Sequence, residues 1–289
     1  MAAHPLITGI GLTTALGRSR DATWQNLCAG DALMDCGRVH GLDAGSDPRV
    51  NVLGRQVARE AIVNARWNAE EIRSAALIVG TSKGPVDSWL VPRDAHGAEG
   101  ESHRSNSAFG LADTAAAVAS DLAIGGPRLT VSAACASGLV ALIRGSMMIR
   151  SGEAKRVIVV GCESSLHPIF LASFRRLGVL APAGHGCRPF DRERAGFVIS
   201  EAAAAVCLEA SENDIDHSRT WAAVERWTMG ADACHLTAGD PDGLTLGRML
   251  DRAIDGRAID LIHAHGTGTI ANDPVELAAI ERAVARNGE

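Results

Sequence analysis

The sequence predicts an α/β protein, because short apolar runs alternate with longer amphipathic ones along the chain. Two observations support that reading. The apolar runs are built from Val, Ile, Leu and Ala and close on glycine, as at Ala75–Val79 before Gly80 and Arg156–Val160 before Gly161. The amphipathic runs stop at glycines such as Gly30 and Gly152.

In chain order, Leu6–Ile10 reads as a strand closed by Gly11, and Ser19–Cys28 as a helix ending before Gly30. Val52–Arg66 is a second helix and Ala75–Val79 an apolar strand. Val86–Ser105 is rich in Pro, Gly, His and charge and reads as a long surface loop. Asn106–Leu122 reads as helix and Pro127–Val131 as strand; a helix then begins around Cys135 and runs to Arg150. After the strand Arg156–Val160, Arg175–Gly196 reads as mixed loop with Pro182, Gly184, Gly186 and Pro189. Ala203–Leu208, Trp221–Met229 and Ile259–Ala264 read as strands. Leu244–Ile254 and Pro274–Arg286 read as helices, the last with proline in its first turn. Trp24 and Trp67 read as packing residues on helices, and Phe190 and Phe197 as core.

At 289 residues the chain suits one large domain or two similar halves. A net charge of -6 and a pI near 5.9 argue against a nucleic-acid binder. Met1–Pro5 lacks the basic region of a signal peptide, and no run is apolar for long enough to cross a bilayer. Seven cysteines, an odd number without a CxxC pair, read as reduced, several of them as small core residues. A reducing, cytoplasmic space is therefore the expected location.

Thr130-Val131-Ser132-Ala133-Ala134-Cys135-Ala136-Ser137-Gly138 carries the most chemical information. A strand runs through small residues into a cysteine and then a helix, which sets the sulfur at a helix N-terminus, where a thiolate is favoured. The small neighbours allow a sharp turn and leave room for an acyl group. The plainer alternative is a buried structural cysteine. In Ile262-His263-Ala264-His265-Gly266-Thr267-Gly268-Thr269, a strand ends in a histidine followed by alternating Gly and Thr, so His265 can project into a site. The alternatives are a histidine satisfied by loop backbone, or His263 two residues earlier. Asp273 and Glu276 suit the positive end of a helix, or else a hydrogen bond to the His265 loop. Gly9, Gly11 and Gly17 lack the spacing of a dinucleotide fingerprint, and Gly80-Thr81-Ser82-Lys83-Gly84 lacks the order of a phosphate loop.

Taken together, these segments resemble the β-ketoacyl synthase family, the condensing enzymes of fatty-acid and polyketide synthesis. Leu6–Gly17 with Thr23-Trp24 is similar to that family's opening strand and helix. Ser132–Gly138 is similar to its cysteine motif, Arg188–Val198 to an internal loop, and His263–Glu276 to its first histidine motif. The resemblance implies a thiolase-like layered α-β-α-β-α sandwich of two related halves, divided here as 1–210 and 211–289, the second half incomplete. It implies acyl transfer from acyl carrier protein to Cys135, then decarboxylative condensation with a malonyl thioester. In that scheme Cys135 is the nucleophile, its N–H supplies half of an oxyanion hole, and His265 stabilises the enolate. It implies no metal or organic cofactor. The implied partners are acyl carrier protein and a second synthase subunit, as a homodimer or heterodimer, with Arg144, Arg150, Arg175 and Arg176 as candidate docking cations.

The sequence also departs from the family. The family's catalytic lysine, second catalytic histidine and Gly-Phe-Gly-Gly loop all follow the first histidine motif. This sequence ends at Glu289, and its only lysines, Lys83 and Lys155, precede His265. The alternative expectation is therefore a non-condensing or partner-dependent homologue that loads acyl groups, decarboxylates, or serves in assembly. Ser200-Glu201-Ala202 replaces the family's frequent Gly-Glu-Gly while keeping the glutamate.

Overall fold

The computed structural model describes residues 4–89, 110–211, 217–234 and 239–287. They form two compact units. The first comprises Met1–Ala32, Gly37–Leu171 and Ser200–Glu225, and the second Leu33–Cys36, Ala172–Ile199 and Arg226–Glu289.

The first unit is built on a six-stranded sheet. Its strands are β1 (Pro5–Thr14), β2 (Ala76–Gly80), β3 (Arg128–Val131), β4 (Arg156–Glu163), β5 (Ala202–Ala210) and β6 (Ala222–Ala223), in the order β3-β2-β4-β5-β1-β6. β3, β2 and β4 run parallel, whereas β5 and β6 pair antiparallel with β1. All of β2 is buried, which requires cover on both faces. Side-chain alternation assigns each residue its side. Leu77, Val79, Ile158 and Val160 pack against α2 (Arg49–Ala65) and α5 (Ala112–Leu122), through Leu53, Val57 and Val118. Ala76, Ile78, Val157 and Val159 turn the other way and meet Ala141, Met148 and Ile149 of α6 (Ser137–Arg150).

Gly9 and Gly11, discounted as a nucleotide fingerprint, serve this packing. A Cβ on Gly9 would lie 2.1 Å from the Ala61 carbonyl oxygen, and one on Gly11 2.1 Å from that of Val57. The two glycines let α2 rest directly on β1. Helix α1 (Arg20–Cys28) starts behind Ser19, whose hydroxyl caps the Ala22 N–H. Short helices at α3 (Ala69–Ser74) and α4 (Val86–Trp89) were not expected. The α3 signal was present in the sequence, since Asn68 and Glu71 form a capping box. The remainder of the expected loop up to Ser105, and Asn106–Phe109 of the expected helix, lie outside the described residues. Trp67 is buried as expected, although between α2 and α3 and not on a helix, and Trp24 is exposed on α1.

In the second unit, α8 (Leu244–Ile254) packs on α9 (Asn272–Asn287) through Ile254, Ala279 and Ala283. An Arg286–Asp251 ion pair lies across the two helices. Within the expected loop from Arg175, the edge of a further helix appears, α7 (Pro168–Arg176). Two expected strands do not form as read. In Trp221–Met229 only Ala222–Ala223 pairs, with β1. Ile259–Ala264 is continuous but joins no strand among the described residues, because a strand needs a partner's hydrogen bonds as well as an apolar sequence. None of the described helices is long and apolar enough to cross a membrane.

A buried carboxylate fixes the entry to β5. Glu201 is 0% exposed and takes both ends of the Arg49 guanidinium at 2.7 Å. It also accepts from the Val39 N–H at 3.0 Å and the Ser164 hydroxyl at 2.9 Å. Burial by itself pushes this carboxyl up, but Arg49, Val39 and Ser164 outweigh it and hold the group below the usual carboxylate range. The same pairing raises Arg49 above its ordinary value.

Because the native carboxyl titrates below the unfolded one, the pair stabilises the fold fully above the ordinary glutamate range. That stability drains away as pH falls through the lowered native value. Urea unfolding of Arg49→Met at neutral pH is expected to show a loss of about 3–5 kcal/mol, the cost of an abandoned buried charge. In Glu201→Gln the acid-side fall in stability should flatten, and a slope identical to that of the parent would contradict the pairing.

Candidate active site

Cys135 lies in the first unit, in the turn that joins β3 to α6. The helix starts at Ser137, two residues later than the sequence suggested, with Ala136 at the N-cap. Ala134 takes a left-handed conformation, φ 49°. That conformation costs a non-glycine residue about 1–2 kcal/mol and persists only where neighbours enforce it. Here Ser137 does so. Its hydroxyl donates to the Ala134 carbonyl at 2.7 Å and accepts the Ala133 N–H at 2.9 Å. The N–H groups of Ala136 and Ser137 close on the carbonyls of Ala133 and Ala134.

Two strand-end glycines seat this turn. A Cβ on Gly80 would lie 2.4 Å from the Ser137 carbonyl oxygen, and one on Gly161 3.5 Å from the Gly138 Cα. Gly80 and Gly161 are paired neighbours on β2 and β4. The first turn of α6 therefore rests on bare backbone at the carboxyl ends of parallel strands, where open α/β sheets place their sites. The result is an exposed Cys135 beside the positive end of a helix. The buried cysteines differ in chemistry. Burial, with Glu163 beside it, pushes the Cys162 thiol up to about 12. Cys207 is raised well above its ordinary value, first by burial and then by Glu209. Cys28, Cys36, Cys187 and Cys234 are exposed, so only Cys162 and Cys207 match the expectation of core cysteines.

A polar cluster at the same strand ends was not anticipated. Glu163 closes β4 and accepts from the Ser82 N–H at 2.8 Å, the Ser82 hydroxyl at 2.8 Å and the Ser165 hydroxyl at 2.7 Å. Lys83 donates to the Ser82 hydroxyl at 2.8 Å and lies 5.4 Å from the centre of the Phe170 ring. The available signal was a charged residue ending the apolar run Val157-Ile158-Val159-Val160-Gly161-Cys162-Glu163.

His265 lies in the second unit, exposed, as is His263. The loop that carries His265 is held by two buried carboxylates near the start of α9, Asp273 and Glu276. Glu276 accepts the His265 N–H at 2.6 Å and the Gly266 N–H at 2.9 Å. Asp273 accepts the Gly268 N–H at 3.1 Å, the Thr267 hydroxyl at 3.3 Å and the Phe190 N–H at 2.8 Å. The hydrogen-bonded alternative for Asp273 and Glu276 is the one the structure contains. The Arg188–Val198 segment interlocks with the same loop, through the Gly196 N–H to the Gly268 carbonyl at 2.8 Å. Gly268, φ 71°, has no room for a side chain, since a Cβ would lie 2.8 Å from the Gly196 oxygen. Phe190, read as core, is instead exposed at φ 63°, with its N–H committed to Asp273.

The unpaired Ile259–Ala264 segment leads into this loop. It leaves Leu261 83% exposed and borders a mostly apolar cavity of about 490 Å³, lined by Ile254, Ile259, Leu261 and Val284 together with Arg257 and Asp260. Among the described residues, no three His, Cys, Asp or Glu side chains are grouped to hold a metal ion.

Comparison with known proteins agrees with this geometry. Residues 45–214 match the family profile described as "Beta-ketoacyl synthase, N-terminal domain", and 221–289 match its C-terminal domain. The chain is 28% identical to a "Putative polyketide beta-ketoacyl synthase 1" of Streptomyces halstedii, over 99% of this chain and 78% of that protein. It is 27% identical to "3-oxoacyl-[acyl-carrier-protein] synthase 2" of Mycobacterium leprae, over 98% of this chain and 76% of the other. The solved structure "The ishigamide ketosynthase/chain length factor" superposes with a TM-score of 0.84 and 27% identity, over 100% of this chain and 79% of that one. The fold is thus the thiolase-like α/β fold of the ketosynthases.

The carboxylate support of the His265 loop is directly measurable. Glu276→Ala removes charged acceptors from two backbone amides, each bond being worth about 1.5–3 kcal/mol. Amide hydrogen exchange at His265 and Gly266 is expected to speed up by about tenfold or more, while β2 and β4 amides keep their parent rates. Unchanged exchange at those two amides would remove Glu276 from this role.

Proposed function

The chain belongs to the β-ketoacyl synthase family, the condensing enzymes of fatty-acid and polyketide synthesis, and from that premise we propose that Cys135 is its acyl-accepting nucleophile. The observation that carries the proposal is the strained Ala134 turn, which displays Cys135 in the open at the head of α6 while Cys162 and Cys207 stay sealed. In the first step the Cys135 thiolate attacks the carbonyl of an acyl thioester. The carbon–sulfur bond to the carrier breaks, the carrier leaves as its thiolate, and an S-acyl cysteine remains. The Cys135 N–H is our candidate for half of the oxyanion hole.

His265 takes the second role. Its ring donates a hydrogen bond to the thioester oxygen of a malonyl unit as carbon dioxide departs, stabilising the enolate; the enolate carbon then attacks the acyl carbonyl, the bond to Cys135 Sγ breaks and the Cys135 thiolate leaves. Rigid anchoring of its loop by Asp273 and Glu276 supports this reading, because a donor must be placed before charge develops. The substrates are proposed to be acyl and malonyl groups on acyl carrier protein, in keeping with the name of the Mycobacterium leprae relative. Arg144 and Arg150 on α6 are the docking cations proposed from the first unit, and Arg175 and Arg176 those from the second.

We also propose pairing with a second synthase subunit, identical or not. β3 is an end strand of the sheet, and its outer edge pairs with no strand among the described residues. We assign the reaction to a reducing cytoplasm, where the exposed cysteine stays in its reduced form. A second reading is favoured by the unpaired Ile259–Ala264 segment and its open apolar cavity. In it the chain loads acyl groups or assembles with a partner subunit without completing the condensation itself.

Incubation with hexanoyl acyl carrier protein, followed by intact-mass measurement, is expected to give one acyl adduct that Cys135→Ala abolishes. An adduct that survives in Cys135→Ala would refute the assignment. His265→Ala should keep the adduct while malonyl decarboxylation falls by about a hundredfold, the scale for losing one preorganised donor. Acylation with no condensation product under any pairing of subunits would select the second reading.

A further inference from the structure

The run Gly80-Thr81-Ser82-Lys83-Gly84 binds no phosphate by its spacing, yet it occupies the carboxyl end of β2, next to the turn that carries Cys135. Gly161 and Glu163 lie two apart on β4, so they share one face of the strand. That face is the α6 side, because a Cβ on Gly161 would meet Gly138 of that helix. Gly80 points the same way, against the Ser137 carbonyl. Glu163, and the Ser82 side chain that reaches it, therefore stand immediately beyond the glycine pair that seats the first turn of α6.

The geometry points to Glu163 as a positioning residue for Cys135, acting through Ser82. Glu163 holds Ser82 twice, by its N–H and by its hydroxyl, both at 2.8 Å. Ser82 in turn offers its carbonyl to the Ser132 hydroxyl at 3.4 Å, on the segment that leads into Cys135. The Thr81 N–H bonds the Val131 carbonyl at 3.1 Å, so the ends of β2 and β3 are also tied one residue before Ser82 and Ser132. The Ser165 hydroxyl fills the other Glu163 oxygen, and Lys83 donates to the Ser82 hydroxyl. The serine thus relays between a cation and a carboxylate, which fixes its rotamer and sharpens both hydrogen bonds. A strained turn keeps its shape only while its surroundings over-determine it, and this cluster supplies the constraint on the β2 and β4 side.

The inference rests on the reading of Cys135 as acyl acceptor, and its test separates the two. The probes are the hexanoyl thioester of N-acetylcysteamine, which acylates a competent cysteine, and iodoacetamide, which alkylates any accessible thiolate. Glu163→Gln and Ser82→Ala are expected to lower the limiting rate of Cys135 acylation by about tenfold, the scale for a displaced reacting group, with the half-saturating thioester concentration unchanged. Ser82→Thr keeps both donors and should restore the rate. If Glu163→Gln fails to fold, the Ser82→Ala and Ser82→Thr pair carries the test alone. Parent-like acylation in folded Ser82→Ala overturns the inference, as does failure of Ser82→Thr to recover the rate. If the unmodified protein takes no acyl group, the functional reading falls by itself. The positioning role is then decided by alkylation, where the same tenfold loss upholds it and an unchanged rate rejects it.

Discussion

The site depends on one steric permission: a glycine at the end of β2 lets a helix begin where a side chain would otherwise stand. Gly80 and Gly161 lie side by side on β2 and β4, and the Ser137–Gly138 backbone rests on them. A methyl group on Gly80 would push α6 outward, because the obstruction is backbone and cannot rotate away. With the helix seated so low, the chain leaving β3 has very few residues in which to turn. Ala134 absorbs the turn in a left-handed conformation, and Cys135 is carried to the surface. Exposure of the sulfur is thus a consequence of helix seating and not of its immediate neighbours alone.

Buried carboxylates are the second organising device. Glu201 collects a bidentate arginine, a serine and a backbone amide, while Glu209 collects Thr8, Trp67 and Arg156. In the second unit, Asp273 and Glu276 each gather backbone amides from a loop with little regular structure. A buried carboxylate with only part of its hydrogen bonds made is costly, so each one admits few arrangements of its surroundings. The acidic residues here fix loop geometry that apolar packing, being non-directional, leaves undetermined.

The His265 loop shows the limit of such bracing. The residues that precede it, Ile259–Ala264, have the composition of an interior strand and none of the pairing. Leu261 faces solvent and an apolar cavity opens beside it, yet the histidine itself is held from the opposite side by α9. The backbone of the His265 loop is therefore held without a paired strand beneath it, while the apolar face beside it stays uncovered among the described residues.

Much of the fold was legible in the sequence. The apolar runs Ala75–Val79 and Arg156–Val160, glycine stops and helix periodicity located most strands and helices, because these are local properties of a few residues. The candidates Cys135 and His265 were singled out by local sequence too, the first where β3 meets small residues and the second by the Gly-Thr alternation that follows it. The sequence misjudged Ile259–Ala264, Trp221–Met229 and the exposed Trp24, since apolar composition does not say whether a partner strand or a covering surface exists. The joining of Arg49 to Glu201, the Ser82–Glu163 contact and the true task of Gly9 and Gly11 were decided by tertiary structure alone. Each joins residues far apart along the chain, and a contact of that kind exists only after the whole sheet has brought its strands into register.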